Sequence, residues 1–189
     1  MQLSLAIIAA SAGAALAAPQ LAPRQNACFI VGNTVLPQEV SDAAASLESK
    51  ITCDASKKTL SNVPDVSAGG VTFSSINFAD SSQTPLAFAL DKFATTEPLA
   101  SNDLAKFQNE LDAYVATEAG IRSVGGSLAI KVPKFFLSMQ VSRIQTAQGN
   151  PPAAAGQQVD HLRDKVLKNA PKEGKALLDQ VTALAAKTT

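Results

Sequence analysis

The side chains here whose types could carry chemistry are two cysteines, one histidine and a few carboxylates. Cys28 and Cys53 form an even pair, and in an oxidising compartment such a pair reads as a bridge. Closing that loop stabilises by about 3.5 kcal/mol on the chain-entropy account. The competing reading, a cysteine nucleophile, needs a nearby histidine and a reason to stay reduced. With one histidine in the chain, a His-Glu-x-x-His zinc site is excluded, and a Cys/His cluster would need both cysteines unbridged. No metal and no cofactor is expected.

His161 lies in Asp160-His161-Leu162-Arg163-Asp164-Lys165. It could be a general base oriented by an acid, but a lone histidine on a charged helix is more often simply solvated. Glu110, Asp112 and Glu118 are the best carboxylates for acid/base work, with Tyr114 one turn before Glu118. A glycosidase cleft needs two carboxyls facing each other and leans on exposed aromatic rings. This chain has no Trp and one Tyr, so the acids read as a solvated helix face, Tyr114 as a core-edge ring with a wet hydroxyl, and Phe135-Phe136 as interior. A Gly-x-Ser-x-Gly elbow, Ser-x-x-Lys, a phosphate-binding glycine loop and a calcium-loop spacing are all missing. Ser81 to Pro85 and Thr95 to Pro98 have the composition of O-glycan acceptors, whereas no Asn-x-Ser/Thr occurs.

These residues must be positioned by elements that hydrophobic period and turn chemistry predict. Cys28 to Val31 and Thr34 to Leu36 flank Gly32-Asn33, as in a small hairpin or a strand with a turn. Pro37 opens a helix reaching about Ile51, with Val40, Ala44, Leu47 and Ile51 on one stripe. Residues 54–70 read as a polar loop. A bulged strand is predicted over Val71 to Phe78, and a short helix follows Thr84-Pro85. A long amphipathic helix starts from a cap at Ser101 or Asn102, carries Leu104, Phe107, Leu111, Tyr114 and Val115, and stops at Gly120 or Gly125-Gly126. Leu128, Ile130 and Val132 alternate like a strand closed by Pro133. Residues 134–147 match either period; their length, Pro133 and Gly149 favour a helix. A linker at 150–156 precedes two helices, one bearing Val159, Leu162 and Val166, the other Leu177, Leu178, Val181 and Leu184.

Leu3 to Ala17 is an uncharged apolar run ending in Ala15-Leu16-Ala17, which predicts a signal peptide over 1–17 with a small-x-small cleavage site. It is shorter than the ~20 residues a membrane span requires. An extended tail or propeptide over 18–26 follows, with Arg24 as a possible second processing point. The residues beyond suit a single globular domain over 27–189. No other segment approaches membrane length, and Ala185 to Thr189 is not an apolar anchor tail. Sixteen basic residues balance sixteen acidic ones, so nucleic acid and anionic membranes are not expected partners.

Two stretches carry a resemblance: Ala27-Cys28-Phe29-Ile30-Val31-Gly32-Asn33-Thr34-Val35-Leu36-Pro37, and Val132-Pro133-Lys134-Phe135-Phe136-Leu137 through Arg143-Ile144-Gln145-Thr146-Ala147-Gln148-Gly149. Through them the chain resembles small secreted proteins of filamentous fungi whose function is unassigned. The resemblance spans most of the chain beyond the leader. It implies an extracellular location and brings no activity or functional residue. In its alanine-rich helices, leader and size the chain is also similar to the fungal hydrophobic-surface-binding and cell-wall galactomannoprotein group, though the cysteine pair and the strands set it apart.

The expected fold is α+β and mainly helical: a small sheet of two to three short strands, from segments near 28, 71 and 128, packed against four to six helices. The expected function is a secreted or cell-wall-associated protein with a non-catalytic binding role, toward the cell wall, an apolar surface or another protein. One alternative is a hydrophobic-surface or lipid binder. The other is a secreted hydrolase using Glu118 or His161, which a pocket holding either beside a second catalytic group would favour.

Overall fold

A computed structural model describes residues 27–189. The leader over 1–17, the tail over 18–26 and Arg24 lie outside the described residues. In chain order the elements are α1 (Gln38–Leu47), β1 (Ile51–Lys58), β2 (Pro64–Ala68), β3 (Val71–Thr72), α2 (Pro85–Lys92), α3 (Leu104–Ser123), α4 (Lys131–Ala147), α5 (Val159–Asn169) and α6 (Lys175–Ala185), with short 3-10 turns between them. Among the described residues, six α-helices thus accompany one antiparallel sheet of order β1-β2-β3. The fold is α+β and mainly helical.

The axis of the molecule is α3. Its N-terminus is capped by Asp103, whose carboxylate accepts from the Lys106 N–H at 3.1 Å, rather than by Ser101 or Asn102. At its C-terminus Gly125 adopts φ 69°, a left-handed conformation that glycine reaches without a Cβ clash. The Gly125 N–H then meets the Arg122 carbonyl and the Gly126 N–H the Ile121 carbonyl, a Schellman closure of the helix. This helix is enclosed rather than striped, and every residue from Ala116 to Ile121 is buried.

Small side chains make that enclosure possible. A Cβ on Gly120 would sit 2.5 Å from the Phe29 carbonyl, so the residues after Ala27 lie directly on the helix. Ser123 Oγ accepts from the N–H groups of Val31 at 3.2 Å and Gly32 at 3.0 Å, and the Ser123 carbonyl accepts from Thr34 N–H at 2.9 Å. The predicted hairpin near residue 28 is therefore absent. Its backbone groups bond to the end of a helix, whose last carbonyl lacks an intrahelical partner, instead of to a second strand.

The sheet lies elsewhere than predicted. The polar stretch 54–70, expected as a loop, forms β1 and β2, which pair Ile51 with Ala68 and Cys53 with Val66 before the register shifts between Asp54 and Lys58. Helix α1 accordingly ends at Leu47, and Ile51 opens β1. The Cys28–Cys53 disulfide ties the N-terminal segment to this strand, not to the end of a helix. Gly69 and Gly70, at φ 52° and 85°, turn β2 into β3, which is two residues long and gives way to 3-10 turns where a bulged strand was expected. Leu128 to Val132 is not a strand: it turns into α4, which starts at Lys131. Pro133 falls in its first turn, where the missing N–H costs nothing.

One hydrophobic cluster runs from Ala27 to Ala185. Tyr114, expected at the core edge with a wet hydroxyl, is fully buried. Its ring meets Phe73 and Phe93 edge-on and its hydroxyl donates to the Ile76 carbonyl at 2.6 Å. Burial pushes its ionisation far above the ordinary phenol range. Tyr114→Phe leaves that carbonyl unsatisfied and is expected to cost about 1.5 kcal/mol, read as a lowered denaturant midpoint; an unchanged midpoint would contradict the bond.

Candidate functional site

Helices α3 and α4 pack together, α1 packs on α3, and α5 packs on α4. The outer helices thereby flank a groove of about 1010 Å³ floored by α3 and α4. Helical spacing places its side chains. From α3 come Gln108, Asp112, Val115, Glu118 and Arg122; from α4 come Lys134, Ser138, Val141 and Gln145; from α5 come His161, Lys165 and Lys168. Helix α1 contributes Glu39 and Val40, while Lys50 and Lys131 stand at its rim.

Glu118 sits at the floor, 3% exposed. Its Oε1 meets Arg122 Nη2 at 2.7 Å and its Oε2 meets Lys134 Nζ at 2.5 Å. Burial alone would raise the carboxyl; the Lys134 ammonium and the Arg122 guanidinium outweigh it and hold the group below the usual glutamate range. The Lys134 ammonium also stands 4.2 Å from the centre of the Phe135 ring, a cation–π contact. Tyr114 does not hold Glu118, because its hydroxyl is turned to Ile76. Nor is the acid face solvated. Glu110 is buried beside Lys106, Asp112 is half-buried, and Phe135 lines the groove while Phe136 is interior.

Asp112 makes no hydrogen bond or salt bridge among the described residues. Burial raises its carboxyl above the ordinary aspartate range, and Lys50 opposes this only in part. A raised folded pKa means that the folded protein binds more protons than the unfolded chain in the window just above the ordinary value, so stability falls as the pH rises through that window. Asp112→Asn is therefore expected to raise the denaturation midpoint at pH 7, with the gain shrinking as the pH is lowered toward 4. A midpoint that falls at pH 7 would contradict the desolvated setting.

The structure brings Glu118 and His161 to one groove but gives them different surroundings. Both oxygens of Glu118 are occupied by cations, so it has neither a proton to give nor a free lone pair aimed at a ligand. His161 is exposed on α5, with no acid bonded to it among the described residues. Cys28 and Cys53 are bridged, which removes them as nucleophiles.

The sequence reading did not anticipate the cations. Six of them line the groove, namely Lys50, Arg122, Lys131, Lys134, Lys165 and Lys168, against three carboxylates, Glu39, Asp112 and Glu118. Lys131, Lys165 and Lys168 have no anionic partner among the described residues. The signal for this was present in part: His161, Lys165 and Lys168 recur at i, i+4 and i+7, one face of a helix.

The molecule is thus a disulfide-bonded, mainly helical α+β domain built around a cationic groove. The chain belongs to a family described as a domain of unknown function, DUF7143, whose model matches residues 30–189. No curated protein and no solved structure matches it. No helix among the described residues is long and apolar enough to cross a membrane, and the disulfide is consistent with an extracellular protein.

Proposed function

We propose that this protein is a non-catalytic binding protein acting outside the producing cell, and that its groove between α1 and α5 holds an anionic ligand. The observation that carries the reading is the segregation of charge. In a chain with zero formal charge, six cations outnumber three carboxylates in one concavity, and an excess of one sign in a cleft focuses its field on a ligand of the other. Secretion is supported by the leader, the bridge and the resemblance to secreted fungal proteins.

The groove chemistry favours binding over hydrolysis, since its buried carboxylate is already matched by Arg122 and Lys134 and no second catalytic group is bonded to His161 among the described residues. Adsorption to apolar surfaces has weaker support. The large hydrophobic side chains exposed among the described residues are Val31, Val35 and Val124, a smaller area than an adhesive patch requires.

The test compares two charge-matched triple variants against a soluble anionic polymer at low ionic strength. Lys131→Gln/Lys165→Gln/Lys168→Gln is expected to weaken binding at least about tenfold, equivalent to about 1.4 kcal/mol. Lys58→Gln/Lys92→Gln/Lys172→Gln, which removes the same charge away from the groove, is expected to change it less than about twofold. Equal losses in the two would remove the groove from the account.

A further inference from the structure

We infer that the anionic ligand is an acidic polysaccharide strand, its carboxylates met by the rim lysines and its hydroxyls by the uncommitted amides of Gln108, Gln145 and Gln157. The inference rests on the groove being the binding site and adds the chemical class of what fills it.

Four features of the groove narrow the choice. First, the free cations are lysines, whereas its one arginine, Arg122, is committed to Glu118. Lysine is a mobile point charge that suits anions spaced along a flexible chain, while arginine's fork grips a single fixed carboxylate or phosphate in two-point fashion. Second, Gln108, Gln145 and Gln157 line the groove, and their side chains bond to nothing among the described residues. An amide both donates and accepts, as a sugar hydroxyl does, so each can pair with either role of a hydroxyl.

Third, the groove is walled and floored by helices, and its apolar side chains, among them Leu111, Val115, Val141 and Leu162, share it with Asp112, Ser138 and Gln145. A peptide added as a strand would need a free strand edge, which helices do not offer. The groove is also open and half polar, unlike the enclosed apolar cavity that an acyl chain requires. Fourth, its one phenyl ring among the described residues, Phe135, carries the Lys134 ammonium over its face, and the chain has no Trp. Neutral glycans and single-stranded nucleic acids both lean on stacking rings, so charge and hydroxyl pairing must supply the recognition here.

The experiment titrates the full mature protein with polygalacturonate, with the same polymer fully methyl-esterified, and with poly-L-glutamate and a single-stranded oligodeoxynucleotide of matched charge. Polygalacturonate is expected to bind at least about tenfold more tightly than each of the others. Gln108→Ala/Gln145→Ala is expected to weaken polygalacturonate about fivefold and poly-L-glutamate less than about twofold, because a peptide lacks the hydroxyls those amides meet. Poly-L-glutamate or the oligonucleotide binding as tightly as polygalacturonate overturns the polysaccharide assignment while leaving the cationic groove standing. Equal binding of the methyl-esterified polymer overturns the role of charge. If none of the anionic polymers binds, the groove reading and this inference fall together.

Discussion

Glu118→Gln is expected to lower the unfolding free energy by about 3 kcal/mol while strengthening, not abolishing, the binding of an anionic polymer. The stability cost follows from burial. The Glu118 side chain is 4% exposed, and its partners Lys134 and Arg122 are 16% and 19% exposed. Removing one member of a buried pair leaves the other charges uncompensated and costs about 3–5 kcal/mol, toward the low end here because both cations reach solvent. The affinity gain follows from the same geometry, since two cations lose their internal anion at the floor of the groove. Linkage gives a third readout. With the folded pKa held below the ordinary value, Glu118 stabilises the fold above the ordinary glutamate range, and that contribution is lost as the pH falls through the lowered value. The variant should therefore lose less stability than the parent on acidification. Were Glu118 a catalytic acid or base instead, its neutral isostere would bind ligand as before and lose turnover.

The second large effect belongs to the disulfide. Cys28→Ser/Cys53→Ser is expected to cost about 3.5 kcal/mol, the loop-closure entropy that the bridge removes from the unfolded ensemble across its separation of 25 residues. In the folded state the N-terminal segment keeps other holds: Phe29 is fully buried, and Ser123 accepts from the backbone at Val31 and Gly32. The variant should thus fold at moderate temperature with its groove intact, and its denaturant midpoint should drop while its slope rises, because the unfolded chain freed of the bridge exposes more surface. A loss of less than about 1 kcal/mol would mean that those contacts, rather than the bridge, hold the segment.

Helices were legible in the sequence where a cap, an apolar period and a stop agreed. Thr84-Pro85 opens α2 as expected, 134–147 lies within α4, and the pair after 150–156 is α5 and α6. The sheet was not legible. Strand β1, Ile51-Thr52-Cys53-Asp54-Ala55-Ser56-Lys57-Lys58, is exposed over most of its length, so no alternation marks it, and β2 begins Pro64-Asp65, a turn-like pair. Asp65 is nonetheless buried, accepting from Ser74 N–H at 2.9 Å and pairing with Lys57 across the strands. Only pairing between distant residues explains such a segment, and local composition does not record it.

The groove was half legible for a related reason. The face of α5 bearing His161, Lys165 and Lys168 can be read at helical spacing, but that it opposes Asp112 and Glu118 depends on α4 packing between α5 and α3. Glu118 looked solvated because its second cation, Lys134, comes from the next helix. Overall neutrality likewise says nothing about segregation: the balanced count of charges conceals a concavity rich in lysine and an outer surface carrying the compensating acids.

Amide chemical-shift mapping during titration with polygalacturonate tests the cationic groove most directly. The account predicts that the largest perturbations fall on the facing sides of α3, α4 and α5, at Gln108, Lys131, Gln145, Lys165 and Lys168, and that they fade as salt is raised. Perturbations centred on β1 around Lys57 and Lys58, or on Val31, Val35 and Val124, with these helices unmoved, would contradict it.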